Sequence, residues 1–443
     1  MDVKIISREV IKPSSPTPHH LRTHKLSILD QIEVKESIYT PFLLFYSLTP
    51  QESVKKSDIL KQSLSKTLTV FYPFAGRLKD WFSIDCNDAG VIYTEAQVAI
   101  DMSIVLQSPE IELLLKLLPH DSVQRLPKQS SDQVLVAIQV DFFACGGMAI
   151  CVYVNHVVAD GAASATFLKS WAEMASLDNY IGFDVIYDCS SLFPSRDLSH
   201  MIAQFDEEDK NNEEPQNLQG ETVTRRLLFS GSKITSLRDE INNRSILHHR
   251  PSRFEALAAL IWCAMLSTTS ENDTTFSKVT FSVNLRKRTN PPLPQQCIGN
   301  VYRVKEVEPL MEKTTNLSIL AEKLGEAVRK VDDEYVRKLG EGDIDYIKFL
   351  RNKAASDTFI FASWCRFPIN RTVVLMDARD GEGIEAWITL GKEEMAKFLQ
   401  DAGIMAYCSS SAYEAVLFVP THGIIFRKSS EVIQINYVQP APT

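Results

Sequence analysis

The stretch VLVAIQVDFFACGGMAICVYVNHVVADGAASATFLKSWAEMA, residues 134–175, changes its period twice. Its start, 134–142, alternates apolar residues with polar ones such as Gln139 and Asp141, as a half-buried strand does. Gly146-Gly147 marks a turn, and MAICVYV at 148–154 is a second apolar run, so the two strands read as a hairpin. After Asp160-Gly161 the run ASATFLKSWAEMA has the spacing of an amphipathic helix, with Asp160 as its natural N-cap. His156 therefore stands between a strand end and a helix start, where a rigid scaffold can present a side chain. An imidazole there can take a proton near neutral pH. Position alone equally fits a hydrogen-bonded structural histidine. Asp160 lies four residues on, but a turn between them leaves a helix cap or a distant ion pair as open as a His–Asp contact.

Strand and helix patterns extend outward from this stretch. Residues 3–12 alternate, 41–48 read as a buried strand, and 57–70 carry Ile59, Leu60, Leu64 and Leu68 at helical spacing. The segment FDEEDKNNEEPQNLQG at 205–220 is acidic and almost without apolar side chains, which marks a linker. Beyond it come a strand at 225–229, helices at 232–242 and 252–267, a strand at 278–285, one long helix from 315 to 339, and strands at 372–378 and 384–390. The predicted fold class is α/β: two similar domains with mixed sheets. They are placed at 1–204 and 225–408, with a crossover loop at 205–224 and an atypical tail at 409–443.

The 443 residues and 44% hydrophobic content call for more than one core. A formal charge of -9 without a long Lys/Arg run argues against nucleic-acid or membrane partners. The eight cysteines have no C-x-x-C pair and read as buried thiols rather than a disulfide framework or a zinc site. The beginning MDVKIISREVIKPSSPTPHH has no apolar core of a signal peptide, so a cytoplasmic location is expected; a monomer is expected as well. His19-His20 and His248-His249 have no ligand-spaced partners and read as surface residues.

Ordered blocks add a resemblance. HVVADG at 156–161 lies among IKPSSPTP at 11–18, LSILDQ at 26–31, LKQSLSKTLTVFYPFAGRL at 60–78, IDCNDAG at 84–90 and FFACGGMAI at 142–150. SRFEALAALIWCA at 252–264, VNLRKRTNPPLP at 283–294, Gly299-Asn300, SWCRFP at 363–368 and VVLMDARDGEGIEAWITL at 373–390 follow. In this order they resemble the plant BAHD acyl-CoA-dependent acyltransferases, in the flavour of the vinorine synthase and salutaridinol acetyltransferase branch. The resemblance implies a chloramphenicol acetyltransferase-like fold with an active-site tunnel at the domain interface. Acyl-CoA, most simply acetyl-CoA, would be the co-substrate and a small-molecule alcohol, such as an alkaloid, the acceptor. His156 would be the general base, Asp160 a structural support paired with Arg286, and Ser363 and Arg366 residues of the acyl-CoA channel. No acyl-enzyme, permanently bound cofactor or metal is implied. One hallmark departs: the D-F-G-W-G segment expected after SWCRFP is absent, and Ile369-Asn370-Arg371-Thr372 runs straight into the next block. That departure leaves a non-catalytic or impaired BAHD-like binding protein as the alternative.

Overall fold

The computed structural model describes residues 1–34, 38–48, 50–107, 111–119, 133–176, 184–198, 222–243, 249–268, 278–307, 316–343, 358–362, 372–378, 380–411 and 432–434. They gather into two compact units. The first holds residues up to Ser195 together with Pro291–Tyr302, and the second runs from Arg196 to Asn290 and from Arg303 to Ala412. Much of the acidic segment at 205–224 lies outside the described residues.

Among the described residues, the main sheet of the first unit runs in the order Val3–Ile11, Val91–Val98, Val136–Phe143, Met148–Asn155, Tyr39–Tyr46 and Val432–Gln434. Val91–Val98 and Val136–Phe143 pair in parallel, and the other neighbours are antiparallel. The predicted hairpin is present, with Gly146 at φ 90° in its turn, a conformation that glycine adopts at no steric cost. The helix Gly161–Ser176 follows and lies against Pro50–Val70. Trp171 fixes this contact: its indole N–H donates to the Leu60 carbonyl at 3.1 Å and the Ser63 hydroxyl at 3.1 Å. Phe167 stacks on Phe74 with centroids 4.9 Å apart and meets Phe71 edge-on.

In the second unit the sheet order is Tyr302–Val307, Lys278–Asn284, Thr358–Ala362, Thr372–Asp377, Ile384–Gly391, Thr222–Phe229 and Ser410–Ser411. Thr358–Ala362 is parallel to both its neighbours, while Ile384–Gly391 is antiparallel to Thr372–Asp377 and Thr222–Phe229, and Ser410–Ser411 is antiparallel to Thr222–Phe229. Both sheets are therefore mixed, as the sequence predicts. Thr358–Ala362 and Thr372–Asp377, which flank the place of the absent D-F-G-W-G segment, pair side by side. The residues joining them, 363–371, lie outside the described ones.

Two local expectations are corrected. The single helix expected over 315–339 is two, Leu317–Arg329 and Asp333–Glu341. Asp332 breaks the run because its carboxylate accepts from the Tyr335 amide at 2.8 Å and caps a new helix. The strand expected at 134–142 is not half-buried. It lies inside the sheet, and both polar residues of its alternation, Gln139 and Asp141, are buried. Gln139 Nε2 donates to Asp141 Oδ1 at 3.0 Å, while among the described residues Asp141 Oδ2 has no hydrogen-bond partner.

Burial pushes the Asp141 carboxyl well above the usual carboxylate range, against the pull of the Gln139 amide. The unfolded carboxyl ionises in its ordinary range, so stability is full below that range and declines as pH rises toward the folded value. Asp141→Asn, neutral throughout, should raise Tm at pH 7 by about 2–4 °C, equivalent to ~1 kcal/mol, with the gain vanishing near pH 4. Thermal melts of both proteins across that range check this.

Candidate active site

The turn that carries His156 is made by the residue before it. The Asn155 side chain accepts from the Val157 amide at 3.0 Å, and its carbonyl accepts from the Val158 amide at 3.1 Å. Such an Asx turn reverses the backbone at the strand end. The His156 amide donates to the Ile38 carbonyl at 2.7 Å. Its ring lies in the first unit with only 8% of the residue exposed.

Asp160 caps the next helix, as predicted: Oδ1 accepts from the Ala163 amide at 2.8 Å. Its other oxygen reaches farther, accepting from the Val301 amide at 3.0 Å. Carboxylates accept such amide bonds at helix starts with particular strength. Asp160 thus ties the helix to the segment Pro291–Tyr302, which the chain delivers long after the strand and helix are built.

That segment is the part the motif reading missed. Asn300 donates from Nδ2 to the His156 carbonyl at 2.6 Å and to Asp30 Oδ1 at 2.9 Å, and its backbone amide donates to the same Asp30 oxygen at 2.8 Å. Asp30 Oδ2 accepts from the Ser27 amide at 2.8 Å and the Ser27 hydroxyl at 2.6 Å. Asp30 and Asn300 are both buried. Gly299 has φ +126°, a conformation side chains rarely adopt. The segment is also pinned on its other side, where the Ile298 amide donates to the Ile186 carbonyl at 2.8 Å and the Cys189 and Cys297 sulfurs meet at 2.8 Å. The signal for these residues was present in LSILDQ and Gly299-Asn300, but only as matching blocks without a role.

Two more side chains stand beside the imidazole. Glu33 Oε2 lies 3.8 Å from His156 Nδ1. The Tyr302 ring is tilted against the imidazole with centroids 5.4 Å apart, and its hydroxyl donates to Glu33 Oε1 at 2.8 Å. Neither was singled out from the sequence.

Of the other predicted site residues, Arg286 opens a tight helical turn in the second unit and is fully buried. Its amide donates to Asn284 Oδ1 at 3.0 Å. Ser363 and Arg366 lie outside the described residues, as does His248. His19, His20 and His249 are exposed. Among the described residues no group of His, Cys, Asp and Glu could hold a metal ion, and no helix is long and apolar enough to cross a membrane.

A histidine on a fixed turn, with neighbours that hold its backbone, is equipped for proton transfer. The model of the Transferase family matches residues 1–372 of this chain. The chain belongs to the BAHD acyltransferase family. It is an acyl-CoA-dependent O-acyltransferase. Epi-neemfruitin B synthase of Melia azedarach is 40% identical to this BAHD enzyme, over 92% of this chain and 99% of that protein. A limonoid 1-O-acetyltransferase of Citrus sinensis is 38% identical over the same shares. Vinorine synthase of Rauvolfia serpentina is 33% identical over 88% of this chain and 94% of its own length. The crystal structure of vinorine synthase superposes with a TM-score of 0.72 at 30% identity, covering 93% of this chain and 100% of that one. A TRI101 structure from F. sporotrichioides, complexed with coenzyme A and T-2, shares the fold with a TM-score of 0.63 at 15% identity.

The cap makes a stability prediction. Asp160→Ala removes both amide contacts and should lower Tm by about 2–6 °C, since an N-cap alone is worth ~1–2 kcal/mol. Differential scanning calorimetry on the two proteins reads it.

Proposed function

We propose that this acyltransferase moves an acetyl group from acetyl-CoA to a hydroxyl of a polycyclic plant metabolite, with His156 as general base. The carrying observation is the His156 turn, held by Asn155 on one side and by Asn300 and Asp160 on the other. Glu33 faces Nδ1, which leaves Nε2 as the nitrogen to receive the acceptor's proton. As that proton leaves, the oxygen attacks the thioester carbonyl. The tetrahedral intermediate then collapses and expels coenzyme A as a thiolate, which the imidazolium protonates. An ester and a thiol are formed, and the base is regenerated.

Asp160 and Arg286 enter the proposal as supports of the histidine turn, paired with each other, and Ser363 and Arg366 as contacts of the acyl-CoA. The enzyme would act as a cytoplasmic monomer on these two substrates. A limonoid-type alcohol is the acceptor class to test first. The relatives named for limonoid 1-O- and 21-O-acetylation are 38–39% identical to this chain, against 31% for stemmadenine O-acetyltransferase and 33% for vinorine synthase.

Coenzyme A release from acetyl-CoA, measured over a panel of limonoid and alkaloid alcohols, tests this reading. His156→Ala should lower the rate about 10²–10⁴-fold, the usual worth of a positioned base. Equal rates in the two proteins would sink the mechanism.

A further inference from the structure

Glu33 stands on the last turn of the helix Ile28–Val34, three residues after Asp30. The bonds of Asp30 to Ser27 and Asn300 fix this helix against the segment that ends in Tyr302. One side of the Glu33 carboxylate is occupied by the Tyr302 hydroxyl, at 2.8 Å from Oε1. The other oxygen, Oε2, is turned to His156 Nδ1 at 3.8 Å. Both side chains are largely shielded, with 14% of Glu33 and 10% of His156 exposed. The Tyr302 ring lies against the imidazole and limits its rotation.

Glu33 and Tyr302 are titratable groups placed against the ring. Asp30 and Asp160 also lie near the turn, but their oxygens are engaged by Ser27 and Asn300 and by the Ala163 and Val301 amides. A carboxylate at the Nδ1 side does two things for a base. It favours the tautomer with hydrogen on Nδ1, so that Nε2 carries the lone pair. It also offsets the positive charge that appears when Nε2 takes a proton. A separation of 3.8 Å is long for a hydrogen bond in the resting protein, and such contacts tighten when the substrate complex forms.

We propose that Glu33, aimed by Tyr302, is the positioning residue that sets the tautomer of His156 and supplies the counter-charge to its imidazolium. The proposal rests on reading His156 as the base.

The test is a histidine-ring NMR titration of the full chain, labelled at ring carbon and nitrogen, over about pH 5–9. The His156 signal is identified by its loss in His156→Ala. In wild type Nε2 should be the unprotonated nitrogen of the neutral ring. A nearby carboxylate favours the charged imidazole, so Glu33→Gln should move the titration midpoint of His156 down by about 1 unit, with mixing of the two tautomers. Glu33→Asp, which keeps the charge, should hold the midpoint closer to wild type, and Tyr302→Phe should fall between wild type and Glu33→Gln. An unchanged midpoint and tautomer in folded Glu33→Gln and Tyr302→Phe, with His156→Ala inactive in acetyl-CoA turnover, overturns this proposal alone. Wild-type turnover by His156→Ala overturns the general-base reading and this proposal with it.

Discussion

The Asn300 side-chain amide bonds two things that the sequence keeps far apart: the carboxylate of Asp30 and the backbone carbonyl of His156. All three residues are buried. A buried donor or acceptor left without its partner costs ~1–3 kcal/mol, so these groups must meet for the first unit to close. Their meeting fixes where the segment Pro291–Tyr302 lies, and that segment then presents the Val301 amide to Asp160 and the Tyr302 hydroxyl to Glu33. The histidine turn is consequently held through its backbone, and the imidazole lies beside Glu33 and Tyr302.

This arrangement divides the acidic residues by task. Asp30 and Asp160 act as acceptors for amide and hydroxyl groups, and their charge is used to anchor backbone. Glu33 shares its carboxylate between the Tyr302 hydroxyl and the ring of His156. The motif Asp, which looks like a catalytic partner when His156 and Asp160 are read together, is thus a cap and a tether. A carboxylate 3.8 Å from the imidazole, that of Glu33, comes from a different helix.

The reading of the sequence reached as far as local periodicity and ordered blocks could carry it. The hairpin, the turn after Asn155 and the capped helix from Gly161 were legible because each depends on neighbouring residues. The family followed from many blocks in order. Asp30 and Asn300 were not legible as a pair, since 270 positions separate them and neither carries a period. Glu33 stood beside a recognised block, but the geometry that points it at His156 comes from a helix fixed by that distant pair. The buried alternation at Gln139 and Asp141 misled for a related reason. Polar residues at every second place mark a wet face only when the strand does not lie inside a sheet covered on both sides.

Asn300 holds the His156 turn. Amide hydrogen exchange over residues 156–164 in Asn300→Ala tests it most directly. Losing the contacts to Asp30 and the His156 carbonyl should speed exchange there about tenfold or more, equivalent to ~1.5–2 kcal/mol. The helix Pro50–Val70 should stay protected as in wild type. Unchanged exchange over 156–164 in the folded variant would contradict the account.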